Sequence, residues 1–450
     1  MKISIIGTGY VGLVTAACFA EKGHEVACVD LREDVVRKIN SGIPTIHEPG
    51  LAELLARNSG KRLRATTSVV EAVSGTDISF ICVGTPSHPD GSIDTSQVEK
   101  ASRDIGAALK SKPGRHVVVV KSTVVPGTAA GIVLKALSES SGKSHPSGFG
   151  IASNPEFLRE GSAVRDSMEP DRIVIGAEDE ETRKAVAAVY EGMFGGKIIS
   201  VNTRTAEMIK YANNSLLATL ISFSNEIGDI CESIEGVDAE EVLRAVTLDS
   251  RINPRRPDGS PLDPQIIGYL RAGCGYGGSC FPKDVSALIS FSKKTGDEAA
   301  LLSEVRRINS LRPGKIIERL KAAAGPLKGK KAAVLGTAFK QDTDDVRESP
   351  AVPLIRLLLA EGARVTATDP AALENTRRVF GDMISYADEP RDALKGAHMA
   401  LVLTKWNDFS GIGPEEFRSL MAKPVLFDGR RIYDRKKYSE GIAYIGTGVR

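Results

Sequence analysis

The sequence is poor in the features that mark several large classes of protein. Six cysteines in 450 residues (Cys18, Cys28, Cys82, Cys231, Cys274 and Cys280) form no CxxC pair and no metal-ligand spacing. Neither a disulfide framework nor a metal site is expected. Charge of one sign is lacking too: 59 Lys and Arg against 57 Asp and Glu leave a formal +2, with no long basic or acidic run. Nothing here suits a nucleic-acid surface. No apolar run approaches the roughly 18–20 residues that cross a bilayer, and the opening MKISIIGTGY has no charged-then-apolar leader. These absences leave a reduced, cytoplasmic chain with no membrane and no nucleic-acid partner. Its 42% hydrophobic content over 450 residues suffices for two or three domains.

What is present begins with glycine. Residues 2–6 are a short apolar run, followed by GTGYVG, a helical spacing of apolar residues over 13–22, and HEVACVD ending at Asp30. Strand, GxGxxG, helix, strand and acid in that order form a dinucleotide fingerprint. Gly7 makes the tight turn, Gly9 lets backbone approach a pyrophosphate, and Gly12 packs helix on strand. Tyr10 and Val11 lie inside the fingerprint and count with it, and the phosphates meet free N–H groups at the helix start. Asp30 suits adenosine ribose hydroxyls and disfavours a 2′-phosphate, which selects NAD; Arg32, nearby, leaves NADP open. The alternative is a glycine turn in an ordinary α/β unit.

Further strand–loop–helix units follow. Residues 77–87 (DISFICVGTPS) and 115–128 (RHVVVVKSTVVPGT) each read as a buried strand ending in a polar loop. Ligands sit outside the carboxyl ends of such strands, which places Thr85, Ser122 and Thr123 toward the cofactor, unless those hydroxyls simply cap the next helix. The segment FGIASNPEFLREGSA brings Glu156 and Glu160 near the same edge; four residues apart, they either share a helix face or one caps it. Residues 205–235 contain no proline and one glycine and predict a long helix of roughly eight turns. It suits a bridge between domains or a dimer seam. On it Lys210 and Asn214 stand one turn apart and project from the same face, either as a functional pair or as a solvated lysine with a capping-type asparagine. From Lys330 the strand–loop–helix pattern resumes, reaching Asp369, but its first loop, GTAFKQDTDD, lacks GxGxxG. The expected fold is α/β: two Rossmann-like doubly wound domains joined by a long central helix, with domains at 1–200, 201–325 and 326–450.

The densest signal is GCGYGGSCFPKD at residues 273–284. Its glycines leave backbone open to a ligand, and Cys280 stands just ahead of a predicted helix beginning near Lys283 and Asp284. A cation or a helix N-terminus lowers a thiol pKa, so this is a setting for a nucleophile. The other reading is an inert cysteine in a packed glycine loop.

Taken together, GTGYVG, SNPEFLREG, EMIKYANN, GYGGSCFPKD, LGTAFK and RESPA resemble the UDP-glucose 6-dehydrogenases over nearly the whole chain. The resemblance implies oxidation of UDP-glucose to UDP-glucuronate with two NAD, through a thiohemiacetal and a thioester on Cys280. It implies an N-terminal NAD domain, a central helix with the dimer contact, a C-terminal UDP domain, and a homodimer or higher homo-oligomer. Under it Lys210 stabilises oxyanion charge, Asn214 supports the same oxygen, Asp284 with Thr123 holds a water, and Glu156 helps thioester hydrolysis beside Glu160. Tyr269, Gly273 and Gly277 wrap nucleotide and sugar, Lys340 meets the substrate, Lys283 and Arg347 lie on the cofactor side, and Arg431 is a further substrate contact. One departure is the extra segment 253–268 between Arg251–Ile252 and Tyr269, where family members run shorter. GDP-mannose 6-dehydrogenases and UDP-N-acetylhexosamine dehydrogenases are the rival enzymes. A non-catalytic NAD-binding sensor is the rival of another class, and intact Lys210, Asn214, Cys280 and Asp284 argue against it.

Overall fold

The computed structural model describes residues 1–192 and 196–450, and the chain divides into two compact units, 1–213 and 214–450. The first is built on eight strands: β1 (Lys2–Ile6), β2 (Glu25–Val29), β3 (Leu63–Thr66), β4 (Ile78–Ile81), β5 (His116–Val120), β6 (Phe149–Ser153), β7 (Arg172–Ala177) and β8 (Lys197–Val201). Their order in the sheet is β3-β2-β1-β4-β5-β6-β7-β8. All neighbours run parallel except β6 and β7, which pair antiparallel at Ala152–Ala177 and Ser153–Gly176. Strands such as HVVVV are apolar on both faces because helices cover both faces of a parallel sheet; β4, β5 and β6 are buried end to end. Strand order reverses between β1 and β4, which opens a crevice at their carboxyl ends, where ligands of this architecture bind.

The second unit holds six parallel strands: β9 (Lys331–Leu335), β10 (Arg364–Thr368), β11 (Ser385–Tyr386), β12 (Met399–Val402), β13 (Val425–Asp428) and β14 (Ala443–Gly446). Their order is β11-β10-β9-β12-β13-β14. The expectation of two doubly wound sheets and a long helix is borne out. That helix, Thr203–Glu232, is 30 residues long. It starts two residues earlier and ends three earlier than its periodicity suggests, because residues 233–236 form a turn completed by Gly236 at φ 80°. The division between the units falls within it. Among the described residues, no helix is long and apolar enough to cross a membrane.

The turn after β9 is filled by an acid of the chain itself. Asp369, at the end of β10, is 3% exposed, and its carboxylate accepts the backbone N–H groups of Thr337, Ala338, Ala371 and Ala372 at 2.7–2.9 Å. The N–H groups just beyond β9 are thus bound to the protein's own acid.

Candidate active site

In the first unit the site begins at the turn after β1. Gly7 has φ +96°, a conformation that L side chains avoid, and the helix Tyr10–Glu21 follows at once. A Cβ on Gly12 would lie 1.9 Å from the Gly7 carbonyl oxygen, so helix and turn touch there with nothing between them. Gly9 differs: it is exposed, its φ of −65° suits any residue, and a Cβ built on it meets nothing within 4 Å. Asp30 directly follows β2, holds the Thr8 hydroxyl at 2.5 Å and the Arg32 N–H at 3.0 Å, and lies 3.5 Å from the Arg32 guanidinium. An open glycine at a helix start, with a carboxylate at the end of the neighbouring strand, fits a dinucleotide.

Tyr10 and Val11 are half-buried. The Tyr10 hydroxyl donates to Glu48, an acid the motifs do not mark, which also accepts the N–H groups of Gly161 and Ala163 at 2.7 and 2.6 Å. Burial first, then the Glu48 bond and charge, hold the Tyr10 phenol well above its ordinary range. Thr85 is buried and Thr123 half-buried, each in the loop beyond its strand. Ser122 donates to the Val83 carbonyl at 2.6 Å.

Residues 154–159 are irregular, so Glu156 and Glu160 share no helix face and neither caps one. The chain leaving β6 instead drops Glu156 into the interior, where its carboxylate pairs with Lys210 at 2.9 Å, the side chains 6% and 4% exposed. Burial would raise the Glu156 carboxyl. The Lys210 charge and hydrogen bond, the Leu158 N–H at 2.5 Å and the charge of Lys121 bring it below the usual range. Glu156 is therefore ionised near neutral pH. Lys210 also stands 5.5 Å from the centre of the Phe157 ring. The solvated-lysine reading of Lys210 is wrong: 54 residues of sequence separate it from the acid that holds it inside.

In the second unit Cys280 occupies the N-cap of the helix Phe281–Thr295, and its carbonyl accepts the Asp284 N–H at 2.8 Å. Its thiol lies 3.6 Å from the Ser279 hydroxyl. Cys280 is half-buried, while the other five cysteines are buried, and the six form no disulfide with one another. Burial pushes those five thiols up, Cys18 to about 11 and Cys82 to about 12, so they stay protonated. Asp284 is 1% exposed; one carboxylate oxygen takes the Lys283 ammonium at 2.5 Å and the other the Asn214 amide at 2.6 Å. Lys283 thus contacts a neighbouring acid in its own turn.

The glycines of this loop have a different reason from the one expected. A Cβ on Gly275 would meet the Asn309 amide at 2.5 Å, one on Gly277 the Glu348 carbonyl at 2.2 Å, and one on Gly278 the Phe339 ring at 2.8 Å. They admit neighbouring protein, which holds the loop's shape. Gly273 donates to Asn225 at 2.7 Å and accepts from Arg312 at 3.0 Å. Arg347 forms a two-pronged pair with Asp345, and its carbonyl takes the Gly278 N–H. Lys340 lies 5.7 Å from the Phe339 ring, and the Tyr269 and Phe281 rings are 6.3 Å apart.

A cavity of about 250 Å³ in this unit is lined by Arg244, Asn253, Asp263, Arg271, Arg430 and Arg431 among others. Arg431 is held there by Asp238 at 2.6 Å, Glu240 at 3.2 Å and the Thr447 carbonyl at 3.0 Å. The extra segment 253–268 folds as a small hairpin, with Arg256 N–H to Ser260 and Leu262 N–H to Pro254, both 2.8 Å. Asn253 and Asp263 clasp its base side chain to side chain and side chain to backbone at 2.9 and 2.8 Å, and both border the cavity. No group of three His, Cys, Asp or Glu among the described residues is placed to hold a metal ion.

Residues 1–194 match the NAD binding domain of the UDP-glucose/GDP-mannose dehydrogenase family, residues 204–311 its central domain and residues 333–435 its UDP binding domain. The UDP-glucose 6-dehydrogenase AglM of Haloferax volcanii is 45% identical over 448 residues, 99% of each chain. A GDP-mannose 6-dehydrogenase of Azotobacter vinelandii is 41% identical over 370 residues, 82% of this chain and 81% of that one. Among solved structures, a UDP-glucose dehydrogenase from the hyperthermophilic archaeon Pyrobaculum islandicum superposes with TM-score 0.90 at 42% identity, covering 100% and 98% of the two chains. The glycine turn, the buried Glu156–Lys210 pair and the N-cap cysteine therefore belong to a member of the UDP-glucose/GDP-mannose dehydrogenase family.

Proposed function

We propose that this chain oxidises UDP-glucose to UDP-glucuronate, with NAD accepting a hydride in each of two steps. The observation that carries this is Cys280, the one half-buried thiol of six, set at a helix N-cap in a chain that also holds a buried Glu156–Lys210 pair. In the first step the C6 alcohol gives up a proton and a hydride. The Cys280 thiolate adds to the resulting aldehyde carbonyl, forming a carbon–sulfur bond. Loss of the second hydride leaves a thioester, and water displaces the sulfur to give the carboxylate and regenerate the thiol.

The Lys210 ammonium and the Asn214 amide stabilise the oxyanion of these intermediates; a fixed donor of this kind is worth roughly 10²–10³ in rate. Asp284 and Thr123 hold the proton-carrying water, and Glu156, ionised beside Lys210, assists attack on the thioester. Gly7, Gly9, Gly12, Asp30, Thr85, Glu160, Lys283 and Arg347 serve the cofactor. The arginine-lined cavity suits a nucleoside diphosphate, with Tyr269, Gly273, Gly277, Lys340 and Arg431 as substrate contacts. Six cysteines without a disulfide suit a reducing cytoplasm. Leu216, Phe223 and Ile230, 44–53% exposed at seven-residue spacing on the long helix, suit a second copy of the chain.

The test is stoichiometric: excess NAD, limiting UDP-glucose, and a count of NADH per sugar. Two per sugar is expected. One marks release at the aldehyde. None with UDP-glucose but activity on GDP-mannose moves the chain to the sister chemistry, which the Azotobacter relative keeps in view; none on any nucleotide sugar revives the sensor.

A further inference from the structure

Glu207 opens the EMIKYANN stretch, yet neither the sequence reading nor the proposed chemistry gives it a role. It stands on the long helix one turn before Lys210 and is 3% exposed. Its carboxylate accepts the Gly127 N–H at 2.6 Å, the Ala129 N–H at 2.9 Å and the Ser153 hydroxyl at 3.3 Å. Those donors sit on two other segments. Gly127 and Ala129 close the loop that leaves β5 and carries Thr123; Ser153 ends β6, and Glu156 follows three residues on. One carboxylate therefore ties together the supports of Thr123, Glu156 and Lys210.

We propose that Glu207 is a positioning residue for the reaction: it fixes the register of the long helix against the ends of β5 and β6, and through it the pairing of Lys210 with Glu156. What Lys210 and Glu156 do rests on the dehydrogenase reading above. Burial pushes the Glu207 carboxyl up to about 7, against its three donors and the charge of Arg204, which lower it. Burying an acid is costly, and the three donors offset that cost only in part. Capping the helical segment at Ala129 accounts for the two N–H bonds, but not for Ser153 or for a place one turn from Lys210.

The experiment uses the full chain with Glu207→Gln, Lys210→Ala and the double variant. Glutamine keeps the size but must turn an NH2 toward one of three donors. Glu207→Gln is expected to lower kcat by about 10–100-fold, with KM for UDP-glucose and NAD and the Kd of NAD within about threefold of wild type. On the Lys210→Ala background the same change is expected to cost about threefold or less. A wild-type kcat in Glu207→Gln, or an equal loss on both backgrounds, overturns the inference. Full activity in Lys210→Ala overturns the dehydrogenase reading itself and takes the inference with it. If Glu207→Gln does not fold, Ser153→Ala removes one donor alone. A kcat about two- to fivefold lower at unchanged KM supports the proposal, and an unchanged kcat refutes it.

Discussion

Gly9→Ala separates what the fold needs from what the ligand needs. In the protein a Cβ at this position meets nothing within 4 Å, and φ is −65°, so alanine adds no clash and no backbone strain. Alanine is a poorer N-cap than glycine but restricts the unfolded chain, two effects of opposite sign that leave stability within about 1 kcal/mol. For a unit of this size that is a Tm change of roughly 2–4 °C at most. Binding is another matter. The methyl carbon projects about 1.5 Å into the space where a pyrophosphate oxygen must approach the helix N–H groups. Displacing that oxygen breaks one or two charge-assisted hydrogen bonds at about 1.5–3 kcal/mol each, which weakens NAD by about 100-fold. Gly12→Ala is the contrasting case, since its Cβ would stand 1.9 Å from the Gly7 carbonyl oxygen and 3.1 Å from the Cys82 side chain. Overpacking of that kind typically costs about 1–3 kcal/mol, so this variant loses both Tm and NAD affinity. Calorimetric titration with NAD and thermal melts of both variants measure the two effects. If Gly9→Ala binds NAD within about threefold of wild type, the pyrophosphate does not lie against Gly9 and the fit of the cofactor to this turn is refuted.

Cys280→Ala is expected to lower NADH production from UDP-glucose by about 10³-fold or more while leaving the Kd of NAD unchanged; retained turnover rules out the covalent route. Leu216→Ser with Phe223→Ser removes about 1 kcal/mol per side chain on each of two copies, about 4 kcal/mol in all, which weakens self-association by about 10³-fold. Sedimentation equilibrium reads it, and an unchanged assembly mass places the interface elsewhere. Burial, and then the charge of Lys112, depress the pKa of His116 from 6.5 to about 3, so the folded chain binds fewer protons than the unfolded one between those values. Stability from this group is intact above pH 6.5 and is lost as pH falls below it, by about 2 kcal/mol at pH 5. His116→Gln should therefore gain about 2 kcal/mol on wild type between pH 7 and pH 5 in urea titrations; parallel pH profiles contradict the assignment.

The parts of the fold legible in the sequence were those set by neighbouring residues. The first strand, its glycine turn and the acid at Asp30 lie within 30 residues, and their spacing alone requires the turn. The long helix was visible because its periodicity runs unbroken. The antiparallel placement of β7 was not, since nothing in RIVIGA encodes strand direction. The site was legible where motifs are dense and opaque where partners are distant. On the helix alone Lys210 reads equally as a solvated lysine, and only the resemblance gives it a role; Glu156, from a distant segment, is what holds it inside. Glu48 sits in no motif and Glu207 opens EMIKYANN with no role assigned to it; each acts by collecting backbone N–H groups from remote segments. The glycines after Cys274 stand out in the sequence, but Asn309, Glu348 and Phe339, which require them to lack side chains, arrive only through tertiary packing.

Asp369 has a consequence for counting. A chain with two doubly wound sheets offers two crevices, and an apportioning of cofactor between them is conceivable from topology alone. In the second sheet the turn's N–H groups are already bound by a carboxylate with nowhere else to go, so an incoming phosphate must displace a buried anion and leave it unsolvated. The chain is therefore expected to titrate with one NAD per polypeptide and a single class of site, and a second class of site in a calorimetric titration would contradict this. A duplicated architecture has kept its scaffold while one copy supplies its own permanent ligand.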